Sequence, residues 1–504
     1  MSLYRALHDA AERQPERVAL RGDDGRVLTH ASLHEEAGRI AGVLCEAGVR
    51  PGDRVTVQVE KSFAAVALYL GVLRAGAVFQ PLNTAYTDAE LAYFLGDAEP
   101  RVLVCDPARA AALGVIATAH DAGLLTLAAD GTGTLSDAAR AARSAPPAAP
   151  GDDALAAVLY TSGTTGRSKG AMLTHGNLLS NARTLRRAWG WRDDDVLVHA
   201  LPIHHVHGLF VALHCALLEP GTLWFLPRFD AERVLARLLE ATVYMGVPTH
   251  YVRLLAESGL DRDRCASMRL FVSGSAPLRP ETFAAFEDRT GHRILERYGM
   301  TEAGMITSNP LDGDRVPGSV GYPLPEVEVR LRTPEGDPVE DGGVGVLEVR
   351  GPNVFAGYWR MPERTASEFR DGWFVTGDLA MRDRDGRLHI VGRHRDLVIS
   401  GGLNVYPKEV EAELDALPGV LESAVIGVPH ADFGEAVVAV AVTGEGWLGE
   451  EDARRHLRER LAAFKVPKRI VPASALPRNA MGKVQKNLLR EAHAELFADG
   501  PSPG

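Results

Sequence analysis

Within eleven residues, Tyr160 to Gly170 (YTSGTTGRSKG), the chain gathers the hydroxyls of Thr161, Ser162, Thr164 and Thr165, three glycines (Gly163, Gly166 and Gly170) and two cations, Arg167 and Lys169. Hydroxyls donate to anionic oxygens, glycines permit the tight turns that aim backbone N–H groups at one point, and the cations add charge. A phosphate group needs that combination. The order is not that of a Walker A loop, which requires G-x-x-x-x-G-K-[ST], because Ser168 precedes Lys169 and Gly170 follows it. A P-loop nucleotide triphosphatase is therefore excluded, while a plain polar surface loop shares the composition.

Other residues able to do chemistry follow at intervals. Leu201 to Gly208 carries three histidines in four residues, His204, His205 and His207, with no second cluster of ligand-type residues at metal spacing nearby, so packed or pocket-lining histidines are the expectation. Ser273-Gly274-Ser275-Ala276-Pro277 and Tyr298-Gly299-Met300-Thr301-Glu302 are small or polar loops after apolar runs. Asp378 is an all-acceptor carboxylate suited to a pair of hydroxyls, although Gly377-Asp378 is also ordinary turn chemistry. Glu302 and Lys483 have equally plain alternatives, as a helix-entry carboxylate and a solvated lysine.

The elements that must position these residues read as alternating strands and helices. Helices are expected over Leu3 to Arg13, Leu33 to Ala47, Ser62 to Arg74 and Asn177 to Trp189. Strands are expected over Arg54 to Val59, Ala77 to Pro81, Arg101 to Cys105, Ala154 to Leu159, Val196 to Ala200, Arg269 to Val272 and Arg293 to Arg297. Such βαβ alternation demands mostly parallel sheets, whose ligands bind at the carboxyl ends of the strands. From Gly318 to Gly351 the pattern changes to short alternating strands of antiparallel character. Beyond Arg395 a new series begins, with a strand to Ile399, helices over Pro407 to Leu417 and Glu451 to Ala463, and strands over Glu422 to Val428 and Ala436 to Val442. The expected fold is an α/β amino-terminal domain, residues 1 to 394, with parallel sheets and a smaller antiparallel region, and a small mobile α+β carboxyl-terminal domain, 395 to 504, hinged at Arg395.

Composition narrows the function. The 504 residues are 46% hydrophobic and 24% charged, ordinary for a globular chain of two to four domains. A net charge of −11 argues against nucleic-acid partners. Cys45, Cys105, Cys215 and Cys265 lie far apart with no C-x-x-C, which fits a reducing compartment. The amino terminus has no continuous apolar stretch and no later run approaches a membrane span, so the expectation is a cytoplasmic protein.

In order along the chain, YTSGTTGRSKG, YGMTE, TGD, GRHRD and PRNAMGK resemble the adenylate-forming superfamily of acyl-CoA synthetases, luciferases and peptide-synthetase adenylation domains. The resemblance spans roughly Leu28 to Arg490. Within the superfamily, NTAYTDAELAYFLGDAEPRV, MGVPTHYVRLL, RLFVSGSAPL, ERYGMTEAGM and GGLNVYPKEVE look closest to malonyl-CoA synthetases. The resemblance implies ATP, Mg2+ and coenzyme A as the small-molecule partners, with no carrier protein required. It implies that Thr161, Ser162, Gly163, Thr164, Thr165, Gly166 and Lys169 hold the β- and γ-phosphates, and that Thr161 and Glu302 serve the magnesium. Tyr298 would stack on adenine, Thr301 would donate to the α-phosphate, and Gly274, Ser275, Ala276, Gly299 and Met300 would line the nucleotide. Asp378 and Arg393 would hold the ribose, and Lys483 would reach the α-phosphate and the carboxylate during adenylation. Ser400, Gly401 and Gly402 would border the pantetheine path. The family places Asp or Lys where this chain has Arg395.

For the acid, the resemblance points to Arg253 in V-P-T-H-Y-V-R as the anchor of a second carboxylate, with His207, Ser275 and Met305 beside it. An arginine fork binds a carboxylate through two parallel hydrogen bonds. Ile306 stands where such relatives often have asparagine, which suggests tolerance of a 2-methyl group. The implied activity is ATP-dependent ligation of malonate, and of methylmalonate, to coenzyme A. The competing readings are ligation of another small acid, amino-acid activation for a carrier protein and a catalytically silent nucleotide-binding regulator. The second is disfavoured because IHHVHGLF lacks an aspartate for the amine. The third is disfavoured by the retention of Lys169, Glu302, Asp378, Arg393 and Lys483.

Overall fold

The computed structural model describes residues 1–161, 168–340, 342–400, 403–430, 433–461, 463–479 and 482–497. Of the sequence-derived site, Ser162, Gly163, Thr164, Thr165, Gly166, Gly401 and Gly402 lie outside the described residues. The chain forms two compact units, one of residues Met1–Val329 and Val349–Phe374, the other of Arg330–Glu348 and Val375–Gly504. This division by compactness falls at Val375. The boundary at Arg395 concerns a pivot instead, and is taken up below as a proposal.

Two sheets organise the first unit. In one, of seven strands, Arg54–Gln58 lies between Val78–Pro81 and Val102–Cys105, all parallel, as the βαβ pattern requires. The other has nine strands, with Val196–His199, Val243–Gly246, Leu270–Ser273 and Leu295–Met300 parallel neighbours in that order. Their ends are where the polar loops begin. The helix Phe63–Arg74 is buried from Phe63 to Leu73, and its apolar residues join those of both sheets in one continuous core. That explains why it carries no polar face: a helix covered on all sides has none to offer. Its start is set by Ser62, whose hydroxyl accepts the Ala65 N–H. Gly71 lets the helix His30–Glu46 approach closely, since a Cβ there would come within 2.8 Å of Ile40 Cγ2.

The phosphate-loop motif joins two antiparallel strands, Leu155–Thr161 and Lys169–Thr174, with Thr161 paired to Lys169. The second strand is absent from the sequence reading, where its residues were hidden between the loop glycines and the following helix. A capping box ends it: Thr174 accepts the Asn177 N–H, and Asn177 returns a bond to Thr174, starting the helix His175–Ala188. Another element missed in the sequence is a π-helical segment at His207–Leu213. Such segments are uncommon and often sit at functional sites.

In the second unit, residues 378–382 of the strand Trp373–Arg382 pair antiparallel with Leu388–Arg393. In a further sheet Gly434–Thr443 lies between Val398–Ser400 and Val420–His430, antiparallel to both, and Arg469–Ala473 pairs parallel with it. Helices Pro407–Asp415 and Glu450–Arg460 cover it through Val410, Leu414, Ala453 and Leu457. This is the α+β arrangement expected from the alternation. Among the described residues no helix is long and apolar enough to cross a membrane. Of the cysteines, Cys45 is exposed and the other three are buried.

Candidate active site

In the first unit, the antiparallel pairing of Leu155–Thr161 with Lys169–Thr174 brings the two ends of the phosphate loop together. Thr161 Oγ1 then stands 3.5 Å from Glu302 Oε1. Glu302 is 7% exposed and also accepts the Tyr358 hydroxyl at 3.1 Å. Burial, with the Glu302 charge beside it, holds the Tyr358 hydroxyl protonated well above the usual range, so it has a proton to donate to Glu302. Lys169 Nζ lies 3.4 Å from Glu368 Oε1 and 4.1 Å from the centre of the Tyr358 ring. A hydroxyl and a carboxylate this close form a hard-oxygen donor pair, which is the chemistry that Mg2+ takes. The lysine alongside is a positive charge of the kind that phosphate oxygens accept hydrogen bonds from.

Glu302 owes its place to a hairpin. Leu295–Met300 turns back into Gly304–Ser308 through Thr301, Glu302 and Ala303. The turn is tight because Gly299 faces Gly304: a Cβ on Gly299 would be 2.3 Å from the Gly304 carbonyl oxygen, and Gly304 itself has φ +53°. Asn181 clamps the returning strand by donating to the Met305 carbonyl at 2.8 Å and accepting its N–H at 3.0 Å. Tyr298 is half-buried on the outgoing strand, and Met305 and Ile306 are buried on the returning one.

Beside the hairpin, Ser275 holds a left-handed backbone, φ +71°, rare for a residue with a side chain. Its Oγ is 3.3 Å from His207 Nδ1. Burial, and then the charge of Arg297, push His207 well below the usual imidazole range, so it is neutral. His205 Nδ1 accepts the His207 N–H at 3.4 Å, and His204 lines a cavity of about 280 Å³ together with Lys61, Arg228, Phe229 and His250. Gly274 is buried, Ala276 exposed. Arg253, on the last turn of the helix Pro248–Ala256, is exposed.

The second unit holds the other predicted residues. Asp378 and Arg393 are direct partners across adjacent strands, with Asp378 Oδ1 2.6 Å from Arg393 Nε. Asp378 is 3% exposed, and the Thr376 hydroxyl, which donates to the Leu347 carbonyl, accepts the Asp378 N–H at 3.1 Å. Lys483 is exposed; the Asn479 N–H donates to its carbonyl and Asn479 Oδ1 accepts its N–H. Ser400 is buried at the end of its strand. Arg395 lies in the short turn His394–Asp396, anchored by an ion pair between Asp396 and Arg490 at 2.7 Å.

The chain belongs to the AMP-binding enzyme family, whose model matches residues 7–359, with the family's carboxyl-terminal domain matching residues 409–483. It is an AMP-forming acid–CoA ligase. It is similar to the ATP-bound MatB of Rhodopseudomonas palustris, 53% identical with a TM-score of 0.96 over 99% of this chain and 100% of that one. It is 38% identical to a feruloyl-CoA synthase of an Amycolatopsis species, over 95% of this chain and 96% of that protein. It is 36% identical to a mitochondrial malonate–CoA ligase of Mus musculus, over 94% of this chain and 87% of that protein.

Proposed function

We propose that this chain ligates malonate to coenzyme A at the expense of ATP, and accepts methylmalonate. The observation that carries this choice of acid is the contact between half-buried Ser275 and buried, neutral His207, 3.3 Å apart beside the Tyr298–Glu302 hairpin. An aromatic acid such as ferulate calls for an apolar slot, because unpaired polar groups buried against a ring are costly. A small acid with a second polar end satisfies them.

In the first half-reaction a malonate carboxylate oxygen attacks the α-phosphorus of ATP, and pyrophosphate leaves with the electron pair of the broken P–O bond. Backbone and hydroxyl donors of Thr161 to Gly166 with Lys169 stabilise charge on the β- and γ-phosphates. Thr161 and Glu302 hold Mg2+, which when bound neutralises phosphate charge. Tyr298 stacks on adenine, with Gly274, Ser275, Ala276, Gly299 and Met300 around the nucleotide and Thr301 on the α-phosphate. Asp378 accepts the ribose hydroxyls beside Arg393, and Lys483 reaches the oxygens that change charge. In the second half-reaction the coenzyme A thiolate attacks the acyl carbonyl and AMP departs. Ser400, Gly401 and Gly402 border the pantetheine path, and residues 395–504 pivot at Arg395 between the two steps. Arg253 is assigned to the second carboxylate, with Met305 beside it.

The test is a screen of malonate, methylmalonate, oxalate, acetate, propionate and ferulate for pyrophosphate and AMP formation, with and without coenzyme A. Malonate-dependent pyrophosphate release that becomes sustained AMP and thioester formation on adding coenzyme A is the expected result. A preference for ferulate or acetate would overturn the assignment of the acid.

A further inference from the structure

Lys169 lies against a carboxylate that comes 199 residues further along the chain. Glu368 Oε1 is 3.4 Å from Lys169 Nζ, and both side chains are largely enclosed, 18% and 16% exposed. The sheet that carries the lysine also brings the glutamate. Gly357–Tyr358 pairs antiparallel with the strand Lys169–Thr174, with Tyr358 opposite Ala171, and the Trp359 N–H donates to the Gly170 carbonyl at 2.8 Å. The short helix Pro362–Ser367 then folds back onto that strand, because the Thr365 hydroxyl accepts the Tyr358 N–H at 2.8 Å. Gly357, at φ +127°, makes room for it: a Cβ there would lie 2.6 Å from Thr365 Cγ2. Glu368 follows the helix directly, and Phe369 beside it packs against Phe355 and Phe374. The glutamate backbone is thus fixed from both sides.

Two carboxylates flank one ring. The Tyr358 hydroxyl donates to Glu302 at 3.1 Å, while the Lys169 ammonium lies 4.1 Å from the centre of the same ring. A lysine placed there with no other anion would be drawn toward Glu302 and would compete with a cation for it. Glu368 supplies the other anion. Its own charge is shared, since Arg364, four residues earlier, pairs with the same Oε1 at 2.5 Å. The lysine contact is longer than the roughly 2.7 to 2.9 Å of a full charge-assisted hydrogen bond, so Lys169 is oriented without being used up. A free lysine loses rotamer freedom when it meets a ligand, whereas one held between a ring face and a carboxylate has lost it already on folding.

We infer that Glu368 is a positioning residue for Lys169: together with the Tyr358 ring it holds the ammonium at the end of the phosphate loop and releases it to phosphate oxygens when ATP binds. This rests on the reading of Lys169 as a phosphate ligand and deepens it. Glu368 acts through the lysine and does not itself meet the nucleotide. When Lys169 leaves, Arg364 stays paired with the carboxylate, so the exchange strands no charge. The lysine gives up a long contact and gains shorter ones. Within the run ERTASEF nothing distinguishes Glu368 from a surface carboxylate, and only the pairing of Gly357–Tyr358 with the loop's second strand brings it to the site.

The experiment is a double-mutant cycle on kcat and KM for ATP, measured by pyrophosphate release with whichever acid the wild type prefers. Lys169→Met is expected to raise KM for ATP at least about tenfold, the worth of a charge-assisted contact. Glu368→Gln keeps the size and removes the charge. It is expected to raise KM about 3- to 10-fold and to change kcat by less than about twofold, the pattern of a lost binding contribution. In the Lys169→Met background the same substitution is expected to raise KM by less than about 1.5-fold, because its effect runs through the lysine. If Glu368→Gln does not fold, Glu368→Asp takes its place in the cycle, with an expected rise of at least about twofold in the wild-type background only. An equal rise in both backgrounds would mean that Glu368 serves the fold or meets the nucleotide itself, and an unchanged or lowered KM would mean that it does not position the lysine. Either result overturns the inference while leaving Lys169 as a phosphate ligand. A Lys169→Met enzyme with an unchanged KM for ATP would overturn the phosphate reading and this inference with it.

Discussion

Asp378 and Arg393 sit directly opposite each other on adjacent antiparallel strands, with Oδ1 and Nε 2.6 Å apart. Register therefore sets both proposed ribose ligands at once. Asp378→Asn keeps the shape and removes the charge. It is expected to raise KM for ATP by roughly 10- to 100-fold, the worth of charge-assisted hydrogen bonds, with KM for the acid nearly unchanged. Initial rates at varied ATP and fixed acid check this, and a rise confined to the acid would place the carboxylate elsewhere in the reaction.

Glu302 accepts from both Thr161 and Tyr358, so charge and positioning can be separated by mutation. Glu302→Gln is expected to lower the pyrophosphate-forming rate by on the order of 100-fold and to raise the Mg2+ concentration needed for half-maximal rate. Tyr358→Phe keeps the carboxylate. It should cost about 1 kcal/mol of stability for the lost hydrogen bond and leave the Mg2+ requirement close to that of the wild type. A Mg2+ titration of both variants distinguishes them, and a matching shift in the two would argue that Glu302 acts only through its neighbours.

The proposed pivot at Arg395 predicts that the two half-reactions fail separately. Lys483→Ala should cripple adenylation and spare thioester formation from preformed acyl adenylate. Gly402→Leu should do the reverse, because a bulky side chain there would obstruct the pantetheine path. Both half-reactions are measured on each variant by single turnover, and equal loss of both in both variants would count against rotation.

Histidines held down by burial are expected to make the protein acid-sensitive. Burial holds His34, His214 and His250 down to about 3, and His175 and His204 down to about 4, against 6.5 when exposed. Below pH 6.5 the unfolded chain takes up protons that the folded chain refuses until the folded values are reached. Stability is therefore fully present above pH 6.5 and declines as pH falls toward 3 to 4, by at most about 1.4 kcal/mol per pH unit for each histidine. Urea unfolding at pH 7.5, 6.0 and 5.0 should show this slope. It should be shallower in His214→Gln, which removes one titrating group beside Tyr69, and an identical slope would mean that His214 does not contribute.

Local chemistry made the helix starts legible in the sequence. Ser2 and Ser62 accept the N–H groups three residues on, so the helices Leu3–Arg13 and Phe63–Arg74 begin where their sequences say they do. The apolar runs at Val102–Cys105 and Leu270–Ser273 are uniformly buried, and uniform burial is the mark of a central parallel strand. The strand Lys169–Thr174 was not legible, because its six residues carry too short an alternation to stand out beside a glycine-rich loop. Nor was the π-helical turn at His207, which has no periodic signature of its own.

The sequence by itself determined which residue types were available to bind a nucleotide and in what order, since motif spacing and hydroxyl, carboxylate and lysine content are properties of the chain alone. Tertiary structure decided which of them meet. Thr161 and Glu302 are separated by 141 residues and come together only because a hairpin at one strand end faces a loop at another. Exposure, too, is a property of packing and not of residue type. Arg253, which a motif singles out, is exposed on a helix, whereas Arg297, within the run ERYGMTEAGM, is 3% exposed and lies against Gly274. The energy of a charge depends on the medium around it, and that medium exists only once the strands have closed over it.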